Sequence, residues 1–197
     1  DVSSIIESKV IDSIYKKHTS KSFIKKNDLF KTKNFELERE RLNRLFKNSG
    51  IYNFQISSIV YDVVIDSSNN IFSLPVKILI TGKNYKTHNI DKITISNFRK
   101  DASFDFNSDF LNNQIKFKIG EKFNDSLRTL TLQNFNKLDL FNFPSVSYNY
   151  IENKDNSLEA SVILNSKKKY AIGFGFDIKQ SNIEDIGLSF ENRFKTR

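Results

Sequence analysis

The chain has 197 residues, 31 Lys and Arg against 23 Asp and Glu, a net charge of +8 and no cysteine. This length fits one or two domains, and with 38% hydrophobic and 13% aromatic residues there is enough apolar side chain for cores, which excludes wholesale disorder. The lack of cysteine excludes disulfides, thiolate chemistry and cysteine-based zinc sites, and no apolar run reaches the roughly 18 residues that a transmembrane helix needs.

In chain order, Val2, Ile5, Ile6, Val10, Ile14 and Tyr15 recur at helical spacing, which predicts an amphipathic helix over 3–17. Lys21–Lys33 is basic and irregular and reads as a loop. Asn34 then suits an N-cap, with Glu36 and Glu38 in the first turn, where the helix dipole favours acids. Phe35, Leu42, Leu45 and Phe46 give that helix an apolar face, and Gly50 supplies a left-handed stop. The run Glu38-Arg39-Glu40-Arg41 reads as a solvated helix face with side-chain pairs at helical spacing. A docking role is the sharper alternative for it. Ser57–Ile65 alternates through Ile59, Tyr61, Val63 and Ile65. A polar turn leads to a second strand with Phe72, Leu74, Val76, Ile78 and Ile80 on one face. Pro75 lacks an N–H, so the strand that carries it is expected at a sheet edge or at a bulge.

A second unit repeats this plan with a strand in front. Ile90–Ser96 is that strand, followed by a helical stretch over 105–114 and a break at Ile119-Gly120-Glu121. Asn124, Asp125 and Ser126 offer a cap to a helix carrying Leu127, Leu130, Leu138 and Phe141, with Pro144 ending the segment. Val146, Tyr148 and Tyr150 line one strand, and Leu158, Ala160, Val162 and Leu164 the returning one. The unit is β-α-α-β-β. The first unit fits that order only if its leading strand precedes Asp1, so its sheet is expected to be incomplete and the chain to be cut at both ends, with any signal peptide already absent. The expected cores hold Ile59, Tyr61, Val76 and Ile78 in one unit and Leu127, Leu138, Val146, Tyr148 and Val162 in the other.

From Tyr170 the pattern changes. Tyr170, Ile172, Phe174, Phe176 and Ile178 alternate with Ala171, Gly173, Gly175 and Asp177. One bulky apolar face and one tiny or polar face suit a strand with lipid outside and a crowded or wet lumen inside, at a length near the roughly 9–11 residues of a tilted membrane strand. Ile186, Leu188 and Phe190 repeat the alternation after a polar turn. Tyr170, Ile172, Phe174, Phe176, Ile178, Leu188 and Phe190 are the lipid-facing candidates, and Lys167, Lys168 and Lys169 at the threshold are candidates for headgroup contact. An ordinary half-buried hairpin behind a solvated turn is the alternative.

The ordered combination resembles the POTRA (polypeptide-transport-associated) modules that precede the barrel in the BamA/TamA superfamily of outer-membrane assembly proteins, and is most similar to the TamA-like branch. The resemblance rests on Phe35-Glu36-Leu37-Glu38-Arg39-Glu40-Arg41-Leu42 followed by Leu45–Phe54 in one module, and on Ile119-Gly120-Glu121-Lys122-Phe123 followed by Leu138-Asp139-Leu140-Phe141 in the next. It implies an α+β fold of tandem β-α-α-β-β modules over 1–83 and 84–166, the first without its leading strand, and the first hairpin of an outer-membrane β-barrel over 167–197. It further implies a periplasmic arm (residues 1–166) of an insertase or translocase that takes unfolded outer-membrane or secreted polypeptides by β-augmentation, with accessory envelope proteins and outer-membrane lipids as partners. The strand in the middle of each module's sequence is the candidate edge: Ser57, Ile59 and Tyr61 in one, Val146, Tyr148 and Tyr150 in the other.

Other function classes fit less well. A basic chain rich in Phe and Tyr invites a nucleic-acid reading, but the aromatics share faces with Ile and Leu, and no RNP-like signature is present, so no nucleic-acid partner is expected. A POTRA-like envelope scaffold would have no use for a lipid-faced strand. His18 and His88 lie far apart outside any ligand spacing, and Gly173-Phe174-Gly175 lacks the third glycine of a dinucleotide fingerprint. No enzyme activity, metal or cofactor is expected.

Overall fold

A computed structural model describes residues 2–64, 74–97 and 106–167 in full, and the backbone of 170–181 and 185–196. The first module runs β1 (Val2–Ile6), α1 (Lys9–Lys17), α2 (Thr32–Asn48), β2 (Ile59–Val63) and β3 (Val76–Ile80). Its sheet has the order β1-β3-β2, with β3 parallel to β1 and antiparallel to β2. The expected open sheet is therefore wrong: the leading strand is Val2–Ile6, from Val2 opposite Val76 to Ile6 opposite Ile80. Val2 and Ile6 fit a helix or a strand equally well by spacing, and pairing with β3 decides for the strand. The helix then starts only at Lys9, with Ile11 and Tyr15 buried. Pro75 does not mark an edge either. It immediately precedes the central strand, where its carbonyl accepts the Val64 N–H at 3.2 Å and no ladder bond requires a Pro N–H.

The turn after α2 follows glycine chemistry. Gly50 has φ +100°, the Ile51 N–H reaches the Phe46 carbonyl at 3.1 Å, and the Gly50 N–H reaches Lys47 at 3.4 Å. This paired closure satisfies the last helical carbonyls. Because α2 starts at Thr32 rather than beyond Asn34, Glu38 falls in its second turn, and it is not solvated. It is 0% exposed, with Arg41 Nη2 at 2.7 Å on Oε1 and both Arg41 Nε at 2.8 Å and the Phe23 N–H at 3.0 Å on Oε2. The acid thus anchors the loop after α1 onto α2. Burial, then the Glu38 charge, push the Tyr15 hydroxyl above its ordinary value and the Tyr61 hydroxyl well above it.

The second module runs β4 (Asn89–Asn97), α3 (Ser108–Gln114), α4 (Asp125–Lys137), β5 (Phe141–Tyr150) and β6 (Ser157–Ser166), in the sheet order β4-β6-β5. Asn124 caps α4 by accepting the Ser126 and Leu127 N–H groups. The helix stops at Lys137, earlier than Pro144. Asp139 turns into the left-handed region (φ +54°), and Phe141 opens a strand instead of extending the helical face. Pro144 lies inside β5, where the register to β6 slips between Asn142 and Ser145.

Each sheet buries one face under its helices. Ile11, Leu42, Phe46, Ile59, Ile78 and Ile80 form the first core, with Tyr61 half-buried against it. Phe117, Phe135, Val146, Tyr148, Leu158 and Val162 belong to the second, with Leu127 and Leu138 half-buried. Ile59–Val63 and Val76–Ile80 meet in one sheet, as the matched alternation predicts, while Ile65 and Phe72 lie outside the described residues. Beyond Lys167, β7 (Tyr170–Ser181) and β8 (Asp185–Thr196) pair with each other as an antiparallel ribbon, in register from Tyr170 with Thr196 to Ser181 with Asp185. Two strands do not close a barrel.

Candidate functional site

The two strands singled out from sequence, β2 and β5, are both edge strands. Ser57 lies outside β2, in a short 3-10 turn (Ile56–Ser58). The side chains of Ile59, Val146 and Tyr148 are buried in the cores and Tyr61 is half-buried, so within the two strands Tyr150, 55% exposed, is the one candidate that reaches solvent substantially; Ser57 is exposed outside β2. What the edges offer is therefore main chain. Along a strand the N–H and C=O of one residue point to the same side and alternate residue by residue. The Ser58 carbonyl accepts from Thr81, and the Val64 N–H donates to Pro75, so the even residues of β2 face β3. Ile59, Tyr61 and Val63 then present N–H and C=O outward, and no described residue pairs with them. On the exposed face, Val60 is 45% exposed and Asp62 is open.

In β5 the Ile151 N–H donates to Ser157, so the odd residues face β6 and Val146, Tyr148 and Tyr150 present their main chain outward. This edge is already partly taken. The Tyr52 hydroxyl, from the first module, donates to the Tyr148 carbonyl at 2.8 Å. Its ring packs against His88, Phe123, Tyr148 and Tyr150, at centroid distances of 5.2–6.0 Å. The opposite edge of this sheet is covered at its start, where Ile90 exchanges hydrogen bonds with Gly120 (2.7 Å) and Glu121 (2.8 Å).

The turn after α2 sends its apolar residues into two different cores. Ile51 and Phe54 fill the first module's core, but Tyr52 crosses into the second module's core. Asn48, at the end of α2, donates to Ser126 Oγ at 2.8 Å and accepts the Ser126 N–H at 3.0 Å, adding to the cap of α4. The His88 N–H donates to the Gly50 carbonyl at 2.9 Å. The spacing of residues 48–52 carries no sign of this joint, because an aromatic after a Gly turn looks the same whichever core it fills. His88 is 4% exposed, and burial holds its ring pKa below the ordinary value. Burial likewise raises the Tyr148 and Tyr150 hydroxyls.

The headgroup candidate Lys167 is half-buried and ion-paired with Asp139, and its N–H donates to the Leu140 carbonyl at 2.9 Å. Lys168 and Lys169 lie outside the described residues. Tyr170, Ile172, Phe174, Phe176, Ile178, Leu188 and Phe190 lie in the ribbon, of which the backbone alone is described. Among the described residues no cluster of His, Asp or Glu could hold a metal ion, and no helix is long and apolar enough to cross a membrane.

No protein-family model and no curated protein sequence matches the chain. Solved structures do. BamA from Haemophilus ducreyi lacking POTRA domains 1–3 superposes with a TM-score of 0.61 at 14% identity, over 87% of this chain. The two modules have the POTRA fold. The POTRA3–5 structure of BamA from Haemophilus influenzae agrees, with a TM-score of 0.51 at 11% identity over 84% of the chain. The chain spans 30% of the first of these proteins and 59% of the second. Its POTRA modules thus share an architecture with both, at an identity that speaks for the fold alone.

Proposed function

We propose that the chain is the periplasmic arm of an outer-membrane protein insertase or translocase, which receives unfolded client polypeptides by β-augmentation and passes them to a barrel that begins at β7. The observation that carries this reading is the edge of β2. Ile59, Tyr61 and Val63 turn three successive N–H and C=O pairs away from β3, with no described hydrogen-bond partner, on a module with the POTRA fold. A client strand adding there gains main-chain hydrogen bonds with little demand on its sequence. The β5 edge serves second, because Tyr52 occupies the Tyr148 carbonyl.

The dyad pattern of β7 supports the barrel half of this reading: the bulky residues at 170, 172, 174, 176 and 178 face lipid, and the outer membrane is the location, with 1–166 on the periplasmic side. Accessory envelope proteins complete the set of partners, nucleic acid is not among them, and the protein works without enzymatic chemistry or cofactor. The test is amide NMR of the chain in detergent, titrated with a peptide copy of an outer-membrane strand. The Ile59, Tyr61 and Val63 amides shift and gain exchange protection on binding. Unchanged β2 amides at saturating peptide overturn the reading.

A further inference from the structure

Phe143 is the most exposed large apolar residue described, at 95%. It also has φ +48°, a left-handed conformation that an aromatic residue rarely adopts, directly before Pro144, which disfavours that geometry further. The strain is local and has a visible effect. The register slip between Asn142 and Ser145 adds a bulge, and the bulge turns Phe143 away from the sheet. Phe141 just before it is buried, and Val146 just after it is buried. A strand that spends backbone strain to hold a Phe in water points to a ligand outside the domain.

The position identifies that ligand. Phe141 pairs with Ser166 and Asn142 with Asn165, so Phe143 sits at the end of the sheet from which β6 leaves toward β7. At the same end, the Lys167 N–H is fixed on Leu140 and the Lys167 ammonium on Asp139. Across the strand pair the bulge is bracketed by Asn165 and Ile163, of which Ile163 is half-buried and Leu164 between them is buried, and Asn142 and Ser145 flank it in β5, so among these described neighbours Phe143 is the one exposed large apolar side chain. A protein partner of ordinary interface size needs a broad, partly apolar surface. A single projecting aromatic flanked in its own strand by Asn142 and Ser145, at the same sheet end as a fixed lysine, fits the headgroup boundary of a bilayer, where an apolar ring reaches past the headgroups while its polar neighbours stay wet.

We propose that Phe143 is an interfacial anchor, inserted into the periplasmic leaflet next to the site where the chain enters the membrane, and that it fixes the height and tilt of the last module there. This rests on the membrane reading of β7 given above. The chain has no Trp, so Phe143→Trp, Phe174→Trp and Val60→Trp each give a single-tryptophan protein, read with excitation selective for Trp over Tyr. The whole chain is reconstituted with phosphatidylethanolamine/phosphatidylglycerol vesicles, with and without lipids brominated near the headgroup.

Phe143→Trp shifts to the blue and is quenched by shallow bromines, Phe174→Trp is quenched too, and Val60→Trp stays in water. Phe143→Ser weakens vesicle binding about tenfold, the factor for losing roughly half the transfer free energy of a buried Phe. Quenching of Phe174→Trp with Phe143→Trp left in water overturns the anchor and leaves the barrel reading standing. Water exposure of both Phe143→Trp and Phe174→Trp overturns the barrel reading and the anchor with it. Quenching of all three reporters shows nonspecific adsorption and overturns the anchor.

Discussion

Two sheets with the same strand order, β1-β3-β2 and β4-β6-β5, end in edges with opposite accessibility. The first leaves Ile59, Tyr61 and Val63 pointing outward with no described partner. The second has one edge closed at Ile90 by Gly120 and Glu121, and the other at Tyr148 by a tyrosine from its neighbour. The outer faces differ as well. Ile5, Leu79 and Val60 align across the first sheet as an apolar row, whereas Thr94, Ser161 and Ser147 occupy a matching row of the second. A repeated topology therefore does not imply a repeated function. An unpaired edge is a template for another chain, and covering it removes that capacity. In the proposed pathway the first module captures, and the second, tied to the first by Tyr52 and Asn48, holds position near the membrane.

The comparison can be broken most severely at Glu38. Glu38→Ala strips the acceptor from Arg41 and from the Phe23 N–H and leaves a largely buried guanidinium, with an expected loss of about 3–5 kcal/mol. Residue-resolved urea melts, read at the Ile78 and Leu158 amides, should show the loss in the first module. An equal loss at both would mean that the joint makes the modules one cooperative unit. A smaller effect sharpens the comparison. Tyr52→Phe keeps the ring cluster but removes the bond to Tyr148, costing about 0.5–1.5 kcal/mol. It should also speed amide exchange at the β5 edge without touching β2.

The smallest effect is expected from His88. Its folded pKa is lowered by burial, so the native ring is held neutral. Between that value and the unfolded value of about 6.5, the unfolded chain binds more protons. Stability from this group is complete above that window, falls as pH drops through it and levels below it. The melting temperature of the wild-type chain should decline more steeply on acidification than that of His88→Asn. Parallel curves would show that the joint does not depend on a neutral His88.

Much of the fold is legible in the sequence because local rules and tertiary packing agree there. The Asn124 cap, the Gly50 stop and the alternations through Ile59, Ile78, Val146 and Val162 each point to the element found. The misreadings fall where local patterns are ambiguous. Val2 and Ile6 satisfy both periods, and only the contact with β3 resolves them. Glu38 belongs to a run of alternating charge that looks solvated, and its burial depends on the loop 18–24 folding across it. The candidate edges follow from the family resemblance, which carries no sign of their unequal accessibility, since that depends on Tyr52 reaching across to a strand 96 positions later. The exposure of Phe143 follows from a bulge that a Pro in a strand permits and does not by itself announce.

The central claim is the inequality of the two edges, and site-specific disulfide capture tests it most directly. The chain has no cysteine, so Asp62→Cys on β2 and Ser147→Cys on β5 each introduce one exposed thiol on the open face of an edge strand. Each variant is incubated with an unfolded outer-membrane strand peptide carrying a single cysteine, under oxidising exchange. Asp62→Cys should be captured readily and Ser147→Cys poorly, with Ser147→Cys gaining when Tyr52→Phe is added. Equal capture at both edges in the wild-type background, or capture at β5 alone, would contradict the account.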